Sequence, residues 1–391
     1  MAGLIQHDVL VIGGGVVGAA LTLDLRQRGF NASLLERGPR PSAFDPERGD
    51  ARVYAVSPSS ARYLSELGVW SGVRTTRAHP YRKMQVWEAQ GAGSLSFDAA
   101  ELPVPNLGWI VEHGLLLERL WSALGDAALP ESSVQSLERL ERSVVVETED
   151  GQVHTASLLV AADGGQSRVR ADAGIPVAGW SYEQLGIVCT VRPERSHQDT
   201  AWQRFLETGP LALLPLADGR VSIVWSADES AAERLLEMDD AAFAQALGAA
   251  SQYCLGEIVA VEKRYRFPLR LQQAQQYVAE RVALVGDAAH VIHPLAGQGA
   301  NLGWADAREL GALLGQHREG RREPWRLRNL QRYERRRQAA NLELMTVTDL
   351  LHRGFRWRHP AWNAVRGVGM GLFDGSGPVK QTLMREAMGL A

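Results

Sequence analysis

The sequence predicts an α/β protein that joins a Rossmann-like nucleotide-binding domain to a β-sheet domain and a helical C-terminal region. Three observations predict this architecture. A strand, a glycine-rich turn, a helix and a second strand follow one another within the first 36 residues. Apolar and polar residues then alternate through much of residues 176–268, as is typical of strands, and helical spacing of apolar residues dominates from about residue 305.

The length and composition narrow the class of protein. With 391 residues we expect two or three domains, and 45% hydrophobic with 22% charged residues excludes a mainly disordered chain. A net charge of −3 argues against a nucleic-acid partner. No apolar run approaches the roughly 18–20 residues that span a membrane, and the N-terminus lacks a signal peptide, so we expect a cytoplasmic protein. Because Cys189 and Cys254 are its only cysteines, we expect neither a disulfide framework nor a metal site.

The first motif follows an apolar strand at 9–12. Gly13, Gly15 and Gly18 have the spacing G-x-G-x-x-G, a helical pattern comes next, and a second apolar strand ends at Glu36. Gly13 permits a tight turn, Gly15 lets the backbone approach a pyrophosphate, and Gly18 allows close packing of helix and strand. Glu36 can accept hydrogen bonds from a ribose, which favours FAD or NAD over NADP. The alternative is a glycine-rich packing turn.

Two later strands also end in an acid beside a small residue. The strand at 158–162 leads into Asp163 and Gly164, and the strand at 282–285 leads into Gly286 and Asp287. At the carboxyl end of a strand an acid can bind sugar hydroxyls, and small residues admit a ligand. Taken alone, each motif is equally explained as a turn between a strand and a loop.

In this order the three motifs resemble the flavoprotein monooxygenases that hydroxylate aromatic rings. The resemblance implies a FAD-binding domain of the glutathione-reductase and para-hydroxybenzoate-hydroxylase type, with an inserted β-sheet substrate domain and a C-terminal helical region. It places Glu36 on the ADP half of FAD, Asp287 on the ribityl chain and Arg52 against the flavin. The implied FAD contacts in these motifs are Gly13, Gly15, Gly18, Glu36, Arg37, Arg52, Asp163, Gly164, Ser167, Arg170, Gly286 and Asp287.

A longer signature at 293–303, together with segments 203–205, 209–216 and 267–269, resembles the hydroxylases of ubiquinone biosynthesis. The resemblance covers about residues 8–355. One position departs from the family pattern: Ala305 stands where an arginine usually precedes the acid, here Asp306. Alanine removes a possible salt bridge or ligand contact.

The signature loop is glycine-rich because a flavin site needs backbone walls. Gly297 and Gly299 allow close approach and supply N–H donors, and Pro294 stiffens the loop. Asn301 can face the pyrimidine end of the flavin. The predicted cofactor contacts in this loop are Gly297, Gln298, Gly299, Ala300 and Asn301. The alternative is a structural, glycine-rich start of a helix.

The predicted catalytic residues are His290, His293, Pro294 and Gly297. The two histidines are candidates for proton movement because imidazole titrates near neutrality, and each is equally explained as a structural hydrogen bonder. The predicted lining of the substrate pocket is Phe205, Leu211, Leu213 and Trp225, of which alternation along the strands can send half into the core.

The predicted domains are discontinuous. Residues 1–79, 99–175 and 269–325 form the FAD-binding domain, residues 80–98 and 176–268 form the substrate domain, and residues 326–391 form the helical region. Segment 318–366 carries 13 arginines and 5 acids, which leaves a net −11 on the rest of the chain. Such a basic, tryptophan-containing segment suits the inner face of a cell membrane, and the alternative is a solvated helix face.

The resemblance implies a FAD-dependent monooxygenase that hydroxylates a polyprenyl phenol or benzoquinol intermediate of ubiquinone biosynthesis. NAD(P)H is the implied reductant, and O2 reacts through a flavin hydroperoxide. Two alternatives remain open. One is a monooxygenase that acts on another aromatic substrate, and the other is a non-catalytic flavoprotein that scaffolds a quinone-synthesis complex.

Overall fold

Three sheets and a set of helices make up the computed structural model, which describes residues 4–89, 93–293, 297–319, 323–356 and 369–390. In chain order the strands are β1 Leu4–Ile12, β2 Ala32–Leu35, β3 Val53–Val56, β4 His79–Tyr81, β5 Lys83–Glu88, β6 Ser94–Asp98, β7 Gly108–Glu112, β8 Ala128–Leu129, β9 Val134–Arg139, β10 Val144–Thr148, β11 Val153–Ala161, β12 Val177–Pro193, β13 Thr200–Leu206, β14 Gly209–Pro215, β15 Val221–Asp228, β16 Ile258–Val261, β17 Tyr265–Ala274, β18 Val278–Ala279, β19 Val282–Leu284 and β20 His290–Val291. The α-helices are α1 Val16–Gln27, α2 Pro58–Glu66, α3 Trp70–Thr76, α4 His113–Leu124, α5 Arg168–Asp172, α6 Glu229–Glu237, α7 Asp240–Ala250, α8 Gly299–Glu319, α9 Leu327–Arg356 and α10 Pro378–Ala387.

The first sheet is built on parallel strands in the order β19-β11-β1-β2-β8, with β18 at one edge and the antiparallel pair β9–β10 joined to β11. β1 ends in the apolar run that the sequence analysis identified as a buried strand. Ile12 lies opposite both Leu35 and Ala161, and Ala161 lies opposite Leu284. The carboxyl ends of four strands therefore form one row, and the three predicted nucleotide motifs follow directly from it.

The second sheet has the order β20-β17-β12-β15-β14-β13-β5-β6, with β16 paired to β12, and a third sheet has the order β3-β7-β4. The turn residues Ala217, Asp218 and Gly219 between two apolar segments predict a hairpin. The structure confirms it: β14 and β15 pair antiparallel around Gly219, whose φ is +81°. One face of this sheet carries Leu211, Ile223 and Trp225 and is covered by helices that contribute Phe243. The predicted fold class, an α/β sheet of Rossmann-like order joined to a second β-sheet and C-terminal helices, is confirmed.

The predicted domain boundaries remain a proposal, and the sheets suggest where to refine them. β5, β6 and β12 to β16 lie together in the second sheet, as proposed for the substrate domain. β17 passes through the proposed boundary at 268, because it stays paired to the long strand β12 on both sides of a bulge between Ser181 and Gln184. β20 joins the same sheet through Gln272.

The long helices α8 and α9 pack against the first sheet. α8 lies on α1, where a Cβ at Gly303 would come within 2.5 Å of Val17. On α9, Leu330 and Tyr333 are fully buried. The helical spacing of its leucines and valine predicts that Val347 lies on an apolar inner face of α9 and Arg337 on a basic outer face. Both predictions are wrong: Val347 is 44% exposed, and the Arg337 side chain is turned inward.

The C-terminal segment returns to the edge of the second sheet. The backbone N–H of Ser96 in β6 donates to Asp374 Oδ1 at 3.1 Å. The Lys380 ammonium of α10 is buried between Asp374, at 3.1 Å, and Glu101, at 2.9 Å. Met384 packs in a small apolar cluster with residues that follow β6. The last described helix therefore covers one edge strand of the second sheet.

Candidate active site

Of the three motif glycines after β1, Gly13 and Gly18 have no room for a side chain, whereas Gly15 faces open space. A Cβ at Gly13, whose φ is +112°, would lie 2.3 Å from the carbonyl oxygen of Ala162, and one at Gly18 would lie 2.1 Å from the carbonyl oxygen of Gly13. A Cβ at Gly15 would meet no atom within 4 Å. The start of α1 is thus open to an anion, which its free N–H groups and helix dipole can bind.

Glu36 is fixed beside this turn by backbone donors. Its Oε2 accepts from the N–H of Gly14 at 2.6 Å, and its Oε1 accepts from the N–H of Gly38 at 2.8 Å. Each carboxylate oxygen can accept a further hydrogen bond, so the half-buried group still has capacity for sugar hydroxyls. Arg37, the neighbouring predicted contact, is exposed.

Asp287 follows β19 in a short turn in which Gly286 has φ +59°. More than a third of the residue is solvent-exposed, yet the surrounding protein desolvates its carboxyl and raises the pKa. His290 and Arg52 act in the opposite direction through their charges. An accessible acid among desolvating walls describes a cleft, and Arg52 lies close enough to act on it electrostatically.

The second motif is tied to this third one by Arg170. The guanidinium donates to the carbonyl oxygen of Ala288 at 2.8 Å and to that of Gly165 at 2.9 Å. Burial lowers the pKa of Arg170. Ser167 caps α5, and one carboxylate oxygen of Asp163 accepts from N–H groups of the same helix. The other oxygen, Oδ1, is buried and has no hydrogen-bond partner among the described residues.

The signature loop is clamped to the segment around β3. Asn301 Oδ1 accepts from Ser60 Oγ at 2.7 Å and from the Ser57 N–H at 3.1 Å, while its Nδ2 donates to the carbonyl oxygen of Ala55 at 2.8 Å. Gly297 has φ +61°, and a Cβ there would lie 3.1 Å from the Cβ of Ala55. The side chain of Asn301 therefore holds the loop in place, and the loop approaches the strand that follows Arg52.

The remaining predicted loop residues divide into three groups. Gln298 Oε1 accepts from Asn301 Nδ2 at 3.2 Å, and Ala300 packs against the core of the first sheet. A Cβ at Gly299 would meet no atom of the described residues within 4 Å, as at Gly15. Pro294 lies outside the described residues. The open glycine at the start of α8 again leaves a helix N-terminus accessible.

His290 is part of a buried network that the sequence did not reveal. Its Nε2 lies 2.5 Å from Asp306 Oδ2, which also accepts from the Gly286 N–H at 3.0 Å. Asp306 Oδ1 accepts from Arg337 Nε at 2.7 Å and from Asn341 Nδ2 at 3.2 Å. Burial would raise the pKa of Asp306, but the charges and hydrogen bonds of His290 and Arg337 hold it below its usual value.

Asp306 has a guanidinium partner on another helix. Arg337 of α9, 31 residues later, pairs with it, and Ala305 contributes no charge. A signal for it was present: Arg337 lies seven residues after the buried Leu330, and therefore on the same helix face. Asp306 and Arg337 thus couple the C-terminal helix to the turn that carries Asp287.

Two aromatic contacts complete this region. His293 is buried, and its ring lies edge-on to that of Tyr182 at 5.0 Å. The Tyr54 hydroxyl and His113 Nδ1 lie 2.7 Å apart, and the Arg52 guanidinium lies 5.4 Å from the Tyr54 ring. Burial, with the charge of Arg52, lowers the pKa of His113 to about 4. No motif or spacing in the sequence predicts the Tyr54–His113 pair.

The predicted pocket residues fall on opposite faces of the second sheet. Leu211, Leu213 and Trp225 lie in the hydrophobic core beneath α6 and α7. Phe205 points to the other face, where its ring stacks on Phe355 with 3.7 Å between centroids and an angle of 7°. That face also turns toward the segment before β3, since Ser222 Oγ donates to the carbonyl oxygen of Ala51 at 3.4 Å. Three of the four residues are therefore core residues in the structure, because helices cover their face.

The residues at the strand ends fit a flavin dinucleotide. Gly15 and Gly299 leave two helix N-termini accessible, Asp287 lies exposed in a desolvated cleft, and Asp163 keeps a buried oxygen without a described partner. Such donors suit phosphates, and such acids suit sugar hydroxyls. The set would hold FAD along the carboxyl ends of the first sheet.

Comparison with known proteins identifies the family of the chain. Residues 6–348 match the family described as FAD binding domain. The 3-demethoxyubiquinol 3-hydroxylase of Escherichia coli is 37% identical over 98% of both chains. The ubiquinone biosynthesis monooxygenase COQ6 of Danio rerio is 33% identical over 96% of this chain and 88% of its own.

Among solved structures, p-nitrophenol 4-monooxygenase PnpA from Pseudomonas putida DLL-E4 superposes with a TM-score of 0.76, at 20% identity over 98% of this chain and 97% of that one. At that identity the likeness concerns the fold. The family match spans most of the chain, and the two relatives exceed 30% identity along nearly all of it. The chain therefore belongs to the FAD-dependent aromatic-ring monooxygenases, within the family of hydroxylases of ubiquinone biosynthesis.

Proposed function

We propose that this protein hydroxylates the ring of a polyprenyl phenol or benzoquinol, with NAD(P)H and O2 as co-substrates. The observation that carries the proposal is that the accessible helix start at Gly15 and the carboxylate of Asp287 follow the same row of strand ends, while the loop at Gly297 packs on β3. The Escherichia coli relative is named for 3-demethoxyubiquinol, and that benzoquinol is the first substrate to test.

When bound, FAD supplies the oxidation of the nicotinamide and the activation of dioxygen. The protein's own residues position and enclose the reaction. Asn301 fixes the signature loop on β3, and Gly297 keeps its backbone close to Ala55. Asp306 and Arg170 hold the turn that presents Asp287. Proton movement at His290 or His293 stays a prediction, and the Nε2 of His290 is already engaged by Asp306.

For the substrate pocket we propose the face of the second sheet opposite its helical core. Along β14 the alternate residues Ala212 and Leu214 are only half-buried, and Val224 of β15 has the same exposure. These side chains lie on the same face as Phe205 and Ser222, and this face turns toward the segment before β3. A half-buried apolar surface of this kind suits an aromatic ring with a hydrocarbon tail.

The test is turnover by the purified, FAD-loaded protein. A short-chain demethoxyubiquinol should stimulate NAD(P)H oxidation and gain one oxygen from labelled dioxygen, as measured by mass spectrometry. Leu214→Phe should raise the KM for the benzoquinol, whereas Val259→Phe, the same kind of enlargement at a 65% exposed position, should not. A FAD-bound protein that converts no phenol or benzoquinol would favour the scaffold alternative.

The signature loop has its own test. In Gly297→Val a branched side chain must adopt a positive φ and press on Ala55, which displaces the loop. The contacts of the glycine turn are elsewhere in the cleft, so FAD should still bind. We expect continued NAD(P)H oxidation with less hydroxylated product and more peroxide. An unchanged ratio of product to NAD(P)H would place Gly297 outside the reaction site.

We also propose peripheral association with the inner face of the cell membrane through α9. In the described ranges, every helix is too short or too polar to cross a bilayer. On α9, Arg332 and Arg335 are exposed, and so are Leu342 and Leu350, at 51% and 63%. Exposed arginines and leucines on one helix suit anionic headgroups and the apolar layer beneath them. The tryptophans and arginines predicted at 357–366 lie outside the described residues.

Vesicle flotation tests this surface. Binding should require anionic lipid, fall with added salt, and weaken in the double variant Arg332→Gln, Arg335→Gln. The matched control is Arg139→Gln, Arg142→Gln, which removes two exposed arginines from the first sheet. Equal recovery with neutral and anionic vesicles would leave α9 as a solvated face.

A further inference from the structure

Two histidines and an aspartate from separate strands meet at the junction of the second and third sheets. His79 belongs to β4, whereas His197 and Asp199 precede β13. One nitrogen of each ring and one carboxylate oxygen lie within 4.8 Å of one another, and His79 Nε2 is 3.0 Å from Asp199 Oδ1. In the part of the chain that the structure describes, this is the one group of three or more such side chains with metal-binding spacing.

The tautomer of His197 is set by a partner outside the cluster. Its Nε2 lies 3.1 Å from the carbonyl oxygen of Leu216 and can only donate to it. The lone pair is therefore on Nδ1, which faces the turn and accepts from the Asp199 N–H at 3.2 Å. A carbonyl that fixes one ring nitrogen as the donor is the usual second partner of a metal-binding histidine, and a metal at Nδ1 would replace the long hydrogen bond from the Asp199 N–H.

The turn that carries the aspartate is strained. Gln198 and Asp199 both have φ +52°, a region that costs a non-glycine residue of order 1 kcal/mol. The turn is nevertheless held firmly by two hydrogen bonds. The carbonyl oxygen of Asp199 accepts from the N–H of Arg82 at 2.8 Å, and the carbonyl oxygen of Gln198 accepts from Thr200 Oγ1 at 3.0 Å. Backbone strain at a well-anchored turn is a frequent mark of a functional site.

We propose that His79, His197 and Asp199 bind a divalent transition-metal ion of the zinc class, with water as the fourth ligand. Ligand atoms about 2.0–2.1 Å from tetrahedral zinc lie roughly 3.3 Å apart, so atoms that now lie within 4.8 Å of one another would have to close by up to about 1.5 Å. The Asp199 side chain is 41% exposed, which gives the ion and its water access.

This ion would join β4 of the third sheet to the turn before β13 of the second. The expectation of no metal site rested on the two cysteines. The ligands found here are 118 and 120 residues from His79, in a pattern that local spacing cannot show. None of the three ligands is among the residues assigned to the FAD site, so the ion would act as a structural clamp that is independent of the proposed hydroxylation.

The experiment uses untagged, chelator-treated, FAD-loaded protein. Titration with Zn²⁺ by calorimetry should show one equivalent bound, Co²⁺ should give the visible absorption of a tetrahedral site, and Zn²⁺ should raise the thermal midpoint. His79→Gln, His197→Gln and Asp199→Asn should each weaken Zn²⁺ binding at least about ten-fold. Asparagine tolerates positive φ, so Asp199→Asn separates loss of the ligand from loss of the turn.

The control is His7→Gln, which removes a histidine that is paired to His154 at 3.1 Å outside the cluster. It should bind Zn²⁺ as the wild type does. Wild-type protein that binds no Zn²⁺, or folded His79→Gln and Asp199→Asn variants that bind it with unchanged affinity, would overturn the proposal. Neither result depends on hydroxylation activity, so the proposed function and this site can fail separately.

Discussion

Glu36 and Asp306 are two carboxylates that serve the same cleft in different ways. Glu36 is half-buried and accepts hydrogen bonds from the backbone N–H groups of Gly14 and Gly38, the second of which is two residues away. Asp306 is fully buried and receives hydrogen bonds from Gly286, His290, Arg337 and Asn341. One acid is placed by a local motif and the other by three distant segments.

The difference teaches how far a motif determines its own site. Glu36 needs only the turn and strand that its motif encodes, so its position follows from spacing. Asp306 requires charge partners from elsewhere in the chain, and His290 of β20 and Arg337 of α9 provide them. A buried carboxylate must be compensated, but the sequence position of the compensating group is free.

Asp306→Asn should have the largest effect on stability. The amide leaves Arg337, whose side chain is only 13% exposed, as a poorly compensated buried cation, at about 3–5 kcal/mol. The measurement is the free energy of unfolding from chemical denaturation. Glu309→Gln is the control, because it breaks the exposed pair with Arg336 on the same helices and should cost under about 1 kcal/mol. Equal losses in the two variants would contradict the network.

Asp287→Ala should act on FAD binding rather than on folding. The accessible carboxylate makes no contact that α8 or β19 depends on, and a lost hydrogen bond to a charged group is worth about 1.5–3 kcal/mol. Fluorescence titration should show FAD affinity reduced roughly 10- to 150-fold. Asp172→Ala, at an exposed acid of α5, is the control. A folded Asp287→Ala protein with wild-type affinity would remove Asp287 from the cofactor site.

Glu36→Gln should have a smaller effect than either, because the amide keeps one acceptor for the N–H of Gly14 or Gly38. We expect about 1 kcal/mol in FAD affinity and a similar or smaller change in stability. The same titration and denaturation experiments measure both. A stability loss as large as that of Asp306→Asn would erase the distinction between the local and the long-range carboxylate.

The smallest expected effect concerns pH. His113 has its pKa lowered from 6.5 to about 4 by burial and by Arg52, so it stays neutral in the folded state while the unfolded chain binds a proton below pH 6.5. Stability should therefore fall as pH drops from 6.5 toward 4, by under about 1 kcal/mol at pH 6 for this group. His113→Gln should flatten that slope, as seen in denaturation at several pH values. An identical slope would mean that His113 is protonated in the folded state or does not contribute.

What the sequence could predict follows the same division. The glycine turn, the strand-end acids and the hairpin at Gly219 depend on neighbouring residues, and each was predicted. Alternation along β14 showed that Leu211 and Leu213 share a face, but only the packing of α6 and α7 decides which face is covered. Likewise, α9 was predicted as a helix, yet the inward direction of Arg337 depends on Asp306, in a different helix.

The contact between Asp374 and Ser96 has a consequence for solubility. β6 is an edge strand, and an edge strand with free N–H groups is a template for pairing with another chain. Asp374 accepts a hydrogen bond from one of those N–H groups, and an ion pair with the buried Lys380 holds Asp374 in place. Removal of residues 370–391 would uncover this edge and the apolar cluster around Met384. Such a truncated chain should keep its other two sheets yet self-associate into β-rich aggregates.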